Sequence, residues 1–208
     1  VAVLRQIIER MKCRVVQPYG LTETTGVLTL LDDDDHRRFA SIPAESHRLG
    51  SCGKARPGVE LKIVDPASGQ ELGEGATGEL WARSDRLMRG YANLPSETAE
   101  VLLPGGWFRT GDIAQLDGDG YVTLKDRLKD IIISGGENVY PVVVENVLLS
   151  HPDIADVAVV GMPHEKWGET PVAVVVPAEG AKTEAACLME FARSRLAHYK
   201  CPGAVHFI

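Results

Sequence analysis

Long apolar runs are missing from this 208-residue sequence. No stretch approaches the roughly 18 consecutive apolar residues of a membrane-spanning helix, and the longest, such as Val172–Pro177, are strand-sized. No basic-then-apolar leader opens it. Cysteine is scarce: Cys13, Cys52, Cys187 and Cys201 stand far apart, with no Cys-x-x-Cys pair and no Cys/His ligand spacing. That argues against a disulfide framework or a zinc site and predicts reduced thiols in a cytoplasmic protein. Positive charge is short as well. Lys and Arg total 22 against 29 Asp and Glu, a formal −7 with a pI near 5.4, which argues against a broad nucleic-acid or anionic-membrane surface while leaving room for a local phosphate site. What is present suffices for a core: 44% hydrophobic residues and a mean hydropathy of −0.06 exclude wholesale disorder. The length suits one large domain or two small ones.

Both ends read as internal. Leu4, Ile7, Ile8 and Met11 share one helical face directly after Val1, and Phe207-Ile208 closes the sequence in a strand-like pattern without a polar tail. Chains usually end in exposed, weakly held segments, so the expectation is a piece of something longer.

Between the ends, two textures follow one another. Arg14–Val16 reads as a short buried strand leading into Gln17–Gly20. From Arg48 to Lys125 the pattern is β: Val59, Leu61 and Ile63 alternate with Glu60 and Lys62, Gly78–Arg83 and Tyr121–Lys125 read as strands, and Asp117-Gly118-Asp119-Gly120 as a hairpin turn. Past Arg127, strands alternate with helices. Strands are expected at Ile131–Ser134, Val157–Val160 and Val172–Val176. A helix is expected at Pro141–Leu149 with Val144, Val147 and Leu148 inward, and Thr183 is expected to cap another with Leu188, Phe191, Ala192 and Leu196 inward. The boundary is placed at Arg127–Lys129. Asp32–Asp35 is read as a solvated loop. The Asp117–Gly120 segment fails as a calcium loop, because Tyr121 and Leu128 stand where ligands are needed.

Three segments carry chemistry. Tyr19-Gly20-Leu21-Thr22-Glu23-Thr24-Thr25-Gly26 gathers an aromatic face, hydroxyls, a glycine and one carboxylate. These are parts for stacking a base, bonding a phosphate and holding Mg²⁺ beside it; a β-turn with a surface glutamate is an equal reading of the composition. Trp107-Phe108-Arg109-Thr110-Gly111-Asp112 sets an acid on a tight turn, suited to a sugar diol, although an isolated Thr-Gly-Asp is more often a turn that its own aspartate caps. Asp126–Asn138 packs charges around a short strand, with Arg127 offering a planar fork and Gly135-Gly136 leaving room for a narrow ligand arm. Alone, it could equally be a charged connector and a turn.

Their order and spacing resemble the adenylate-forming (AMP-binding) superfamily of acyl-CoA synthetases, carrier-linked adenylation domains and beetle luciferases. The resemblance covers nearly the whole chain, adding Gly50–Lys54, Pro57–Val59, Gly78–Leu80, Met88–Tyr91, Gly105–Phe108 and His164–Gly168. It implies a mixed α/β (α+β) architecture. Residues 1–127 would be the C-terminal part of a large adenylation domain, with a β-barrel-like subdomain at about 48–126, and residues 128–208 a truncated mobile C-terminal domain. It further implies that ATP and Mg²⁺ activate a carboxylic acid, foremost a fatty acid, and that CoA takes the acyl group. Tyr19 would stack on adenine, Gly20 belong to the nucleotide site, Thr22 bond the α-phosphate and Glu23 ligate Mg²⁺. Asp112 and Arg127 would hold the ribose, Lys129 serve as the hinge, Gly135 and Gly136 line the pantetheine tunnel, and Trp167, Tyr199 and Lys200 meet the nucleotide end of CoA. For Trp167 and Lys200, a packing aromatic and a plain surface lysine are equal readings.

The sequence Ile132–Pro141 looks most like fatty acyl-CoA synthetases and related acyl- and aryl-CoA ligases. Departures are Val143 where the family has glutamate, Ser84 for a usual glycine and Cys201 at an often basic position. The phosphate loop expected upstream of Val1 and the lysine segment expected after Ile208 lie outside these residues, so the chain alone is expected to be impaired in adenylation. Two rivals stand beside the acyl-CoA synthetase reading: a non-catalytic nucleotide- or CoA-binding module, and an adenylation domain that charges a carrier protein. The acid and the oligomeric state are not legible.

Overall fold

The amphipathic repeat at the start of the chain forms helix α1 (Ala2–Met11), whose Leu4 and Ile8 pack against buried Leu31, Phe39, Leu49 and Tyr121. The computed structural model describes residues 2–11 and 13–208, and these form two units, Val1–Leu124 and Lys125–Ile208.

In the first unit, residues 14–16 are not the expected strand. Val16 is exposed, and the Val15 amide is held by the Asp33 carboxylate at 2.8 Å instead of by a ladder. Pairing begins at β1 (Gln17–Leu21), antiparallel to β2 (Gly26–Leu31). The acidic run that follows is a helix start and not a solvated loop. Asp32 accepts from the Asp35 amide at 2.9 Å and caps α2 (Asp33–Ser41), while buried Asp33 pairs with Arg37 at 2.8 Å. Aspartate is a favoured cap, and carboxylates in a first turn face the positive end of the helix dipole.

Strand β3 (Lys54–Ala55) completes the small sheet β1-β2-β3. The next sheet contains β4 (Glu60–Val64) and β5 (Thr77–Arg83). After α3 (Pro95–Val101) come β6 (Leu102–Leu103), β7 (Trp107–Leu116) and β8 (Val122–Arg127). The order is β4-β5-β7-β6, with β8 also on β7. Ile63, Leu80, Ala114 and Val122 fill its core with Cys52, and Tyr19 packs against them. The Asp117–Gly120 hairpin is closed by the Gly120 amide on the Asp117 carbonyl at 2.9 Å. Arg48 pairs with both of its aspartates, at 2.9 and 2.5 Å.

The second unit holds β9 (Ile132–Ser134), β10 (Glu137–Val139), α4 (Pro141–Leu149), β11 (Ile154–His164), β12 (Gly168–Pro177), α5 (Ala185–Arg193) and β13 (Ala204–Phe207). The sheet runs β10-β9-β12-β11, with β13 parallel to β12. Val144 and Leu148 from α4, and Leu188 and Ala192 from α5, meet Val157, Val159, Ala173 and Val175 of the sheet. The expected strands at 157–160 and 172–176 are thus the middles of a longer hairpin. At α5 the cap position is Glu184, one residue beyond Thr183, with no side-chain cap bond. Leu196 lies past the helix end yet still packs on this core. Asp126 supplies a carboxylate to the first turn of α4, accepting from the Val142 amide at 3.2 Å. Among the described residues no helix is long and apolar enough to cross a membrane.

Candidate active site

The site in the first unit starts with a tight crossing of backbones. Where β1 turns at Gly20, an added Cβ would sit 2.1 Å from the Gly26 carbonyl oxygen, so the glycine is required by the neighbouring strand. The register of β1 on β2 shifts between Tyr19 and Gly20. A 3₁₀ turn at Thr22–Thr24 follows, pinned by the Thr24 hydroxyl, which accepts from the Leu21 amide at 3.0 Å. Thr25 leaves the turn at a φ of 52°.

Tyr19 donates its hydroxyl to Asp112 at 2.6 Å, across 93 positions of sequence. Asp112 is 4% exposed. Burial, and then the Asp112 carboxylate, push the Tyr19 phenol well above its ordinary range, so it stays a donor at physiological pH. Thr22 is exposed on the turn, and Glu23 is half-buried. Glu23 is held twice: its carbonyl accepts from the Met88 amide at 2.7 Å and its Oε1 from the Tyr91 hydroxyl at 2.9 Å. Burial and this carboxylate raise the Tyr91 pKa.

Among the described residues no group of three or more His, Cys, Asp or Glu side chains could hold a metal. A single oriented carboxylate with one oxygen on Tyr91 does fit Mg²⁺, which is usually bound through one or two carboxylates plus substrate phosphates.

In the second unit Arg127 and Lys129 line a cleft of about 580 Å³ together with Asp126, Asp130, Glu145 and Glu169. Another cleft, of about 390 Å³, brings together Gly135, Trp167 and Tyr199 with Glu137, His164 and Arg193. Gly135 has a φ of 62°, its amide donates to the Trp167 carbonyl at 2.8 Å, and a Cβ there would meet the Trp167 ring at 3.0 Å. Gly136, at a φ of 86°, has open space around it. Lys200 does not line this cleft; its ammonium lies 5.5 Å from the Tyr199 ring centroid. Cys201 does line it, with its thiol pKa raised by burial and opposed by nearby Arg193. Sequence reasoning assigned no role to Tyr91 or Arg193. Tyr91 stood inside the Met88–Tyr91 stretch, but its bond to Glu23 spans 68 positions.

Comparison with known proteins identifies the family. The chain belongs to the AMP-binding enzyme family: that family's model matches residues 1–92, and the model of the AMP-binding enzyme C-terminal domain matches residues 143–208. Among curated relatives, an indoleacetate–CoA ligase of Aromatoleum aromaticum is 43% identical over 201 residues, 97% of this chain and 37% of the ligase. The fatty acid–[acyl-carrier-protein] ligase ScoC of Streptomyces coeruleorubidus is 41% identical over 207 residues, all of this chain and 38% of that protein. Among solved structures, the o-succinylbenzoate CoA synthetase of Bacillus subtilis, in complex with its acyl-adenylate intermediate, superposes with a TM-score of 0.85 at 34% identity. That match covers all of this chain and 40% of the synthetase. The mixed α/β fold is therefore that of adenylate-forming enzymes, and the chain spans well under half the length of these relatives.

Gly135→Ala should destabilise the second unit by about 1–2 kcal/mol through its left-handed backbone alone. It should also displace the Trp167 ring and shift its fluorescence. Thermal denaturation and emission spectra check both, and wild-type values in both would show that the turn tolerates a side chain.

Proposed function

We propose that the full-length protein containing this chain is an AMP-forming acid–thiol ligase. A carboxylate oxygen of the acid attacks the α-phosphorus of ATP; the new O–P bond forms as the bond to pyrophosphate breaks, leaving an acyl-adenylate. The thiol of CoA then attacks the acyl carbon, AMP leaves, and a thioester remains. The observation that carries this reading is the Tyr19–Asp112 pair beside the Thr22-Glu23 turn, with an aromatic face, a diol acceptor, a hydroxyl and a carboxylate on neighbouring elements.

In this reading Tyr19 and Gly20 lie along adenine, Thr22 donates to the α-phosphate, and Asp112 and Arg127 bind the ribose. Glu23 holds the metal, with Tyr91 fixing its carboxylate. Bound there, Mg²⁺ would offset charge developing on the phosphate oxygens. Gly135 and Gly136 form the tunnel for the pantetheine arm, and Trp167, Tyr199 and Lys200 take the nucleotide end of CoA. Residues 1–127 then belong to the adenylation domain and residues 128–208 to a C-terminal domain that turns about Lys129. The acid is read as apolar, foremost a fatty acid, in keeping with the aromatic and fatty acids in the relatives' names. A cytoplasmic location, where ATP and CoA are available, goes with this reading. The likeness to ScoC favours one alternative for the second step, in which a carrier-protein thiol replaces CoA.

Screening the full-length protein against fatty, branched and aromatic acids should yield AMP and pyrophosphate with at least one; none with any acid contradicts the ligase reading. Glu23→Gln should lower adenylation by roughly two to four orders of magnitude, the scale of losing a key electrostatic group, and near-normal turnover would make Glu23 a surface turn residue. Lys129→Pro fixes φ near −65° and should impair CoA-dependent AMP release far more than pyrophosphate release. Equal, mild losses in both would sink the hinge assignment.

A further inference from the structure

Beyond the residues proposed to touch the nucleotide, one buried carboxylate has no role in that scheme. Glu79, on β5, is 1% exposed. Its oxygens accept from the Trp81 indole at 2.9 Å, from Arg109 Nε at 3.1 Å and Nη2 at 3.0 Å, and from the Gly111 amide at 3.3 Å. These donors converge where the β5–β7 ladder breaks. Glu79 pairs with Ile113 and Trp81 with Arg109, so Thr110, Gly111 and Asp112 all sit opposite Leu80.

Such a bulge leaves backbone groups without ladder partners and re-aims the side chains it carries. Here each exposed need is met locally. Gly111, at a φ of 70°, donates to Glu79. Thr110 donates its hydroxyl to the Leu80 carbonyl at 2.7 Å and accepts from the Asp112 amide at 3.1 Å. A buried carboxylate is retained only with charge and hydrogen bonds around it, and Arg109 with the Trp81 indole and the Gly111 amide supplies both.

We infer that Glu79 is the positioning residue for Asp112: it holds the bulge in the shape that aims the Asp112 carboxylate at Tyr19 and, on the function proposed above, at the nucleotide ribose. Glutamine in its place keeps the volume but turns an NH₂ group toward donors, so one of the contacts at Trp81, Arg109 or Gly111 must open. The bulge then relaxes and Asp112 shifts from the ribose and from the Tyr19 hydroxyl, while the phosphate contacts made from the turn after β1 are unaffected.

The test compares ATP with 2′-deoxy-ATP and 3′-deoxy-ATP as substrates of the full-length protein in wild type, Glu79→Gln and Asp112→Asn. In Glu79→Gln the ratio of kcat/KM for ATP over each deoxy analogue should fall by roughly tenfold, the scale of losing one hydrogen bond to a charged group. Asp112→Asn should lower it at least as far. Should Glu79→Gln fail to accumulate folded, Glu79→Asp keeps the charge but withdraws it from Gly111, and it should give the same drop. Equal fractional losses with ATP and the analogues in the Glu79 variants, beside a collapsed ratio in Asp112→Asn, would overturn the positioning role and leave the ribose reading standing. An unchanged ratio in all variants would remove the ribose reading, and the positioning role with it.

Discussion

A carboxylate taken out of water must be given donors, and Asp112 imposes that requirement on the first unit. At 4% exposure it accepts from Tyr19 at 2.6 Å. Meeting the demand fixes two otherwise unrelated pieces of chain. Strand β1 must bring Tyr19 close, which requires Gly20 to lie against the Gly26 carbonyl with no side chain between them. Strand β7 must break its ladder so that Asp112 faces β1, which requires Glu79 and Thr110 to satisfy the broken backbone. The Thr22–Thr24 turn and Glu23 follow directly from the end of β1. Tyr19, Asp112 and Glu23 are thus held by connected backbone and not by separate loops, which on the function proposed above is the preorganisation that transition-state electrostatics needs.

The second unit is organised by glycine geometry and by one helix start. Gly135 holds a left-handed φ, where a side chain is strained and its Cβ would crowd the Trp167 ring, and that packing forms one wall of the cleft shared with Tyr199 and Arg193. Asp126, from the segment entering this unit, accepts from the Val142 amide in the first turn of α4. Cys201 and Arg193 line the same cleft, and Arg193 gives it a cation.

Much of this was legible in local pattern. The strand at Leu61 and Ile63, the inward Val144 and Leu148 of α4 and the Asp117–Gly120 turn are local properties, and the structure bears them out; the burial along β4 does not alternate strictly, and Val147 is only half-buried. Polarity misled at Asp32–Asp35, because a charged run and a well-capped helix start share the same letters. At Arg14–Val16 three suitable residues had no partner strand. Tyr91 with Glu23, and Glu79 with Gly111, are contacts across 68 and 32 positions. No periodicity encodes them, so their parts in the site emerge only from the fold.

The central claim, that a carboxylate oxygen attacks the α-phosphorus of ATP at the Tyr19–Glu23–Asp112 site, is tested most directly by isotope transfer. The full-length protein is given ATP, Mg²⁺, CoA and an acid labelled with ¹⁸O in its carboxyl group, and the products are read by mass spectrometry. The account predicts one ¹⁸O in AMP, none in pyrophosphate and a thioester carrying the remaining label. Label appearing in inorganic phosphate, with ADP as the nucleotide product, would contradict it.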